Sequence, residues 1–180
     1  MAKNKIIIIV AMALVAVLAA TTIILSVVKI NYAPQISKPS IIYVKTSNDD
    51  GSFTETNENF DKILEEYNKS YTRSVMSAIF AGQNSTAINL TENGTLPTVN
   101  QVPAAENLIR LKYEEPQVLK INGKELDGKF KEVYVQVSNN ASFAVTEVYF
   151  KQNSDVTAYY LLKTYANQAG LYELIQSLFE

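Results

Sequence analysis

The chain has 180 residues, 47% hydrophobic and 19% charged, with a net charge of −2 and no Cys, His or Trp. Those absences exclude Ser-His and Cys-His nucleophiles, His-based metal centres, disulfide staples and lipid attachment through cysteine. Arginine occurs only at Arg73 and Arg110 and no basic stripe is present, so nucleic acid is not an expected partner.

Lys3 and Lys5 precede Ile6 to Val28, 23 residues without a charge. A helix of that length is roughly 34 Å long, enough to cross a hydrocarbon core of about 30 Å. Ile6, Val10, Leu14, Leu18, Ile24 and Val28 are taken as the lipid-facing anchor, with the bilayer as first partner. Lys29 follows, Tyr32 suits the interface, and Pro34 and Pro39 mark a tether. The early lysines and free amine favour an N-terminus inside, although Lys29 and Lys38 blunt the asymmetry. A cleaved signal peptide is the competing reading, with small residues near Ala19 as the exit. Its apolar region usually ends after 7–15 residues, and this one runs on through Ile23, Ile24, Leu25, Val27 and Val28. A pilin-like helix is a third reading, but no early Glu breaks the apolar run. The sequence thus divides into an anchor or signal at 1–29, a tether at 30–40 and an extracytoplasmic domain at 41–180. Three basic residues flank the apolar run, leaving thirteen basic against eighteen acidic from Ile30 onward, a net −5.

Ile41 to Thr46 reads as a strand, followed by a turn at SNDDGS. Thr56 to Ala81 predicts a long helix: Phe60, Ile63, Leu64, Tyr67, Tyr71, Val75, Ala78 and Ile79 form an apolar stripe. Thr56 or Asn57 caps its start, Glu65 and Lys69 form an i,i+4 pair, and Gly82 suits its stop. Weak strands lie between Ala87 and Thr98, and Asn100 to Ala105 reads as loop. Ile109, Leu111 and Tyr113 then alternate with Arg110, Lys112 and Glu114. Val118 to Ile121 meets Asn122-Gly123, a two-residue hairpin signal, and Asp127-Gly128 is a further turn. Phe130–Ser138 sets Val133, Val135 and Val137 against Glu132, Tyr134 and Gln136. Phe143–Lys151 and Val156–Tyr165 are further strands, and Gln168 to Phe179 closes with a short helix. The expected fold is α+β: an N-terminal transmembrane helix, then an antiparallel β-meander packed by one long helix and a short C-terminal helix.

Chemistry is sparse. The doublets Asp49-Asp50, Glu65-Glu66 and Glu114-Glu115 can pair as acid and base, but turn, solvated helix and strand end account for them. Asn48-Asp49-Asp50 offers oxygen ligands for Ca²⁺ without the full alternating loop, so no metal site is expected. No phosphate-binding glycine motif occurs, so no cofactor is expected. Tyr159, Tyr160, Tyr165 and Tyr172 crowd the C-terminal third. They read either as strand residues of a half-buried sheet or as an interaction face. Of the sequons at Asn68, Asn84, Asn89, Asn93 and Asn140, the three from Asn84 to Asn93 cluster and become a sugar-covered patch in a host that glycosylates, and polar loop composition explains them equally well. The sequence therefore points to a membrane-anchored, non-catalytic domain that binds a protein partner or itself. An apolar-ligand carrier with a pocket between sheet and helix is the alternative, and an exported hydrolase using carboxylates or Ser-Lys a more distant one.

Overall fold

The computed structural model describes residues 2–31, 37–77, 86–89, 104–118, 120–121, 124–125, 129–139, 143–151 and 158–180. For 2–5, 86–89, 121, 124, 143–151 and 158–165 it describes the backbone alone. The chain divides into two units, Met1–Asn31 with Arg73–Gln83 and Tyr32–Thr72 with Asn84–Glu180.

The first unit is built on α1 (Ala2–Val27), 26 residues with no Gly or Pro to interrupt it. Behind it, β1 (Lys29–Asn31) forms a two-stranded ribbon with β4 (Thr72–Ser74), and Val75 N–H donates to the Val28 carbonyl at 3.0 Å. The ribbon takes residues that the sequence assigns to the end of the anchor, to the tether and to the long helix.

The second unit is a mixed helix and sheet domain. Among the described residues its seven-stranded sheet runs β3-β2-β6-β9-β10-β11-β5, every neighbouring pair antiparallel. The strands are β2 (Ile41–Lys45), β3 (Asp50–Thr54), β5 (Thr86–Asn89), β6 (Leu108–Gln117), β9 (Phe130–Gln136), β10 (Phe143–Lys151) and β11 (Ala158–Ala166). From β6 onward this is the expected meander. The early strands depart from it, because the β2–β3 hairpin adds to the free side of β6 and β5 adds beyond β11. The predicted hairpin pairs Ile121 with Lys124, joining β7 (Lys120–Ile121) to β8 (Lys124–Glu125) as a separate ribbon. Its turn, Asn122-Gly123, lies outside the described residues, as do Asp127-Gly128 and most of the loop around Asn93 and Asn100.

Helix α2 (Glu58–Ser70) starts where Asn57 Oδ1 accepts from Asn59 N–H at 2.9 Å, an N-cap as expected. It ends eleven residues before Ala81. Tyr71 keeps the last helical bond, to the Asn68 carbonyl, and Thr72–Ser74 then pair with β1. The apolar spacing continues through Val75, but the ladder offered by Lys29–Asn31 overrides that local preference. The expected Glu65–Lys69 pair is replaced by Lys69 donating to Glu66 at 2.6 Å, a bond that raises the Lys69 pKa. Part of the expected tether is fastened to the domain: Pro39 is buried, Ser40 N–H donates to the Lys112 carbonyl at 2.8 Å, and Lys38 reaches Asp61 at 3.0 Å.

Period-two burial sorts the sheet into two faces. Ile42, Val44, Ile109, Leu111, Tyr113, Val133 and Val135 form one buried cluster with Phe60, Ile63, Tyr67 and Tyr71, and with Leu171 and Ile175 of α3 (Ala169–Ser177). Two glutamine side chains fix α3 through three hydrogen bonds. Gln168, 3% exposed, receives the Ser138 N–H and donates to the Gln136 carbonyl, both at 3.0 Å, and Gln176 donates to Asn107 at 2.8 Å. Gly51 permits the closest approach at this end, since a Cβ there would stand 2.9 Å from the Phe179 ring.

Candidate functional sites

Two features of the described residues invite a functional reading, and they are of different kinds. The first is α1 itself. Its stretch Ile6–Val27 has a mean hydropathy of 2.9 and none of it is buried. Of the expected anchor residues, Leu18 is 62% exposed and Val28, just past the helix end, 45%; Ile6, Val10, Leu14 and Ile24 fall between. Leaving a side chain of that size in water forgoes about 1.5–3 kcal/mol relative to burial. The polar groups within the run are satisfied inside the helix. Thr21 and Thr22 donate to the Val17 and Leu18 carbonyls at 2.8 Å, and Ser26 donates to Ile23 at 2.7 Å. A helix with apolar side chains all round and internally bonded hydroxyls is apolar and long enough to cross a bilayer or to serve as a signal sequence.

The second feature lies on the sheet face opposite the buried cluster. Register places Tyr43 of β2, Arg110 of β6 and Tyr134 of β9 directly across from one another on three adjacent strands. The Arg110 guanidinium stacks 3.9 Å from the Tyr43 ring centre and 5.8 Å from that of Tyr134. Its Nη1 donates to the Tyr134 hydroxyl at 3.4 Å, and that hydroxyl donates to Glu132 at 3.0 Å. Burial works against the charge on Arg110, but the Tyr134 hydrogen bond and the nearby Glu132 outweigh it and raise the pKa. Burial also raises the Tyr134 pKa; Arg110 opposes that and Glu132 adds to it. Among the described residues no carboxylate reaches Arg110 within 4.0 Å, and its Nε is buried without a hydrogen-bond partner. Beside this row lies a cleft of about 270 Å³, with Tyr43, Arg110 and Tyr134 on its wall and Lys45, Asp50 and Gly51 towards the β3 edge.

A smaller cleft of about 190 Å³ opens between α2 and the sheet, lined by Lys38, Pro39, Leu64, Tyr67, Leu111 and Tyr113 among others. Tyr113 is 2% exposed, and its buried hydroxyl has no hydrogen-bond partner; burial drives its pKa far above the ordinary tyrosine value.

The tyrosines singled out in the sequence are placed differently. Tyr159, Tyr160 and Tyr165 lie on β11, where only the backbone is described, and Tyr172 on α3 is half-buried against the core cluster. The acid doublets do not converge on either cleft's wall as pairs. Asp49-Asp50 falls at the β2–β3 turn, where Asp49 N–H donates to Thr46 Oγ1 at 3.1 Å; Glu65 is exposed; and Glu114 and Glu115 are exposed on β6. Among the sequons, Asn68 is exposed on α2, Asn89 ends β5, and Asn84, Asn93 and Asn140 lie outside the described residues. The Tyr43–Arg110–Tyr134 row was missed. The alternation of β6 and β9 gives the outward direction of Arg110 and Tyr134, but only the register makes them neighbours of Tyr43.

No family model, no curated protein and no solved structure matches this chain.

Proposed function

We propose that this chain is a single-pass membrane protein that presents its α+β domain outside the cytoplasm, for binding a protein partner or a second copy of itself rather than for catalysis. The observation that carries the reading is α1, 22 consecutive residues of mean hydropathy 2.9 with none buried. Lys3 and Lys5 ahead of the run support an N-terminus inside and a domain outside. The stacked Arg110 row supports binding as the role, since Arg and Tyr side by side are a common composition of recognition surfaces.

The test has two arms on the full chain. Alkaline carbonate should leave it in the membrane pellet, and protease added to intact cells or spheroplasts should remove the domain while sparing α1. Cross-linking in intact membranes should trap a defined partner or a self-pair. A chain that carbonate releases, or that stays monomeric under several cross-linkers, overturns the reading. N-terminal sequencing of the mature protein separates a retained anchor from a cleaved signal.

The carrier alternative would have to use the cleft between α2 and the sheet. At about 190 Å³ that cleft falls below the roughly 300–1,000 Å³ of ordinary ligand pockets. Its size favours the partner-binding reading over the transport of a lipid-sized molecule.

A further inference from the structure

We infer that the cleft beside Arg110 is a carboxylate-binding site, in which the stacked guanidinium forks onto a monocarboxylate and the rings of Tyr43 and Tyr134 receive its planar or apolar body. The fold half-buries Arg110 and brings its one negative neighbour, Glu132, to it only through the Tyr134 hydroxyl, so among the described residues no carboxylate touches the guanidinium itself. Tyr43 stacks on the guanidinium at 3.9 Å, and the Tyr134 hydroxyl accepts from Nη1 at 3.4 Å while donating a hydrogen bond to Glu132. Those contacts restrain the plane of the group, so little rotamer entropy remains to be lost when an anion docks. Among the described residues no ion pair is made by Arg110 or by Lys45 on the cleft wall, so two cations face the same space.

Charge and size narrow the ligand. The domain carries a net −5 from Ile30 onward, Asp50 shares the cleft, and Glu132 stands behind Tyr134. That surrounding negative field penalises a dianion such as phosphate more than a monoanion. The volume of about 270 Å³ suits a group the size of benzoate or one terminal residue of a chain, and the aromatic wall favours an organic body. Planar guanidinium and planar carboxylate match through two parallel hydrogen bonds, which an ammonium cannot reproduce. Two sources supply this chemistry: a free small acid, or the terminal carboxylate of a partner chain. The inference gives the binding domain proposed above its ligand chemistry, and rests on that reading for what presents the carboxylate.

The experiment is a calorimetric or NMR titration of the purified full-length chain in detergent micelles. The probes are benzoate, its neutral isostere benzamide, inorganic phosphate, and a short peptide with a free or an amidated C-terminus. Benzoate should bind saturably and benzamide should not. Arg110→Lys should weaken benzoate by about ten- to a hundredfold, the value of one charged hydrogen bond, and Lys45→Gln by less. A free C-terminus binding more tightly than benzoate, with the amidated peptide silent, assigns a partner chain; the reverse order assigns a small acid. Equal binding of benzoate and benzamide, tighter binding of phosphate, or an Arg110→Lys chain that binds as wild type overturns the site. The benzoate–benzamide comparison uses the unaltered chain and so stands even if an Arg110 variant fails to fold. Failure here leaves carbonate extraction and cross-linking unaffected, so the site and the anchored-domain reading fall separately.

Discussion

Helix α1 runs for 26 residues with none of its described side chains buried, whereas α2 needs only 13 to bury Phe60, Ile63, Tyr67 and Ser70. The contrast lies in how polarity is distributed. Helix α2 confines its apolar groups to one stripe and gives Glu58, Asp61, Glu65 and Lys69 to water. Helix α1 has no polar face, and the hydroxyls it does carry are turned back onto its own carbonyls. A helix built like α2 is stabilised by a protein core; one built like α1 is apolar enough for a bilayer or a signal sequence and buries none of its described side chains. The two therefore respond to different substitutions under different assays.

The largest expected effect is on the core side of that comparison. Phe60→Ala should destabilise the domain by about 3–5 kcal/mol, because the ring is fully buried between helix and sheet. Urea unfolding of the full chain in micelles would measure it, while carbonate extraction should be unchanged. Leu14→Arg is the mirror experiment. A charge at the middle of α1 should cost about 2.5–3.5 kcal/mol of insertion and move a large fraction of the chain into the soluble fraction. The urea midpoint of the domain should stay where it was. If Leu14→Arg instead lowers that midpoint, α1 is a core helix and the contrast collapses.

The sequence made these two helices legible to different degrees. The uncharged run fixed α1 to within a residue or two of Val28, because nothing tertiary competes with a pattern that long. The start of α2 was equally readable, since Asn57 is a local cap. Its end was not, because whether Thr72–Arg73–Ser74 continue a helix depends on Lys29–Asn31, more than 40 residues away in sequence. Short-range hairpins behaved like caps: β10 occupies the expected Phe143–Lys151, and Ile121 pairs across Asn122-Gly123 with Lys124. Strand β3 was hidden, since Asp50, Gly51 and Ser52 carry turn chemistry and Phe53 alone among its residues is buried. The Arg110 row was hidden more deeply. Its members come from three strands whose order is set by the sheet as a whole, and alternation says which way a side chain points but not what stands beside it.

Burial without satisfaction gives the next effect. Tyr113 faces the core beside Phe130, ring centres 5.8 Å apart, with a hydroxyl that finds no partner. Tyr113→Phe keeps the ring and removes the unpaired group, so it should stabilise the domain by about 1–3 kcal/mol rather than weaken it. The pH dependence follows from the raised pKa. An unfolded tyrosine ionises near pH 10, the buried one does not, so the folded state binds the extra proton and loses stability as pH rises above about 10. Urea midpoints between pH 8 and 11 should fall for the wild type and fall less for Tyr113→Phe. Equal slopes would mean that the hydroxyl is solvated when folded.

The smallest effect bears most directly on why α2 exists as a helix in water. Its first turn has amide protons with no helical acceptor, and Asn57 Oδ1 takes one of them at 2.9 Å. Asn57→Ala should therefore cost about 1 kcal/mol in urea unfolding, with Asn57→Asp restoring most of it and Asn57→Gly some. Because Glu58 and Asp61 already place negative charge in that turn, the Asp variant should gain from the helix dipole but lose slightly to its neighbours. A loss above about 3 kcal/mol would contradict a simple cap, because the other bond at this corner joins the Asn57 N–H to the Thr54 carbonyl at 2.8 Å. Since that bond belongs to the backbone and survives the substitution, the smaller figure is expected. For α1, by contrast, no cap substitution should register in carbonate extraction if the helix spans a bilayer, because contact along the whole run would outweigh one terminal hydrogen bond.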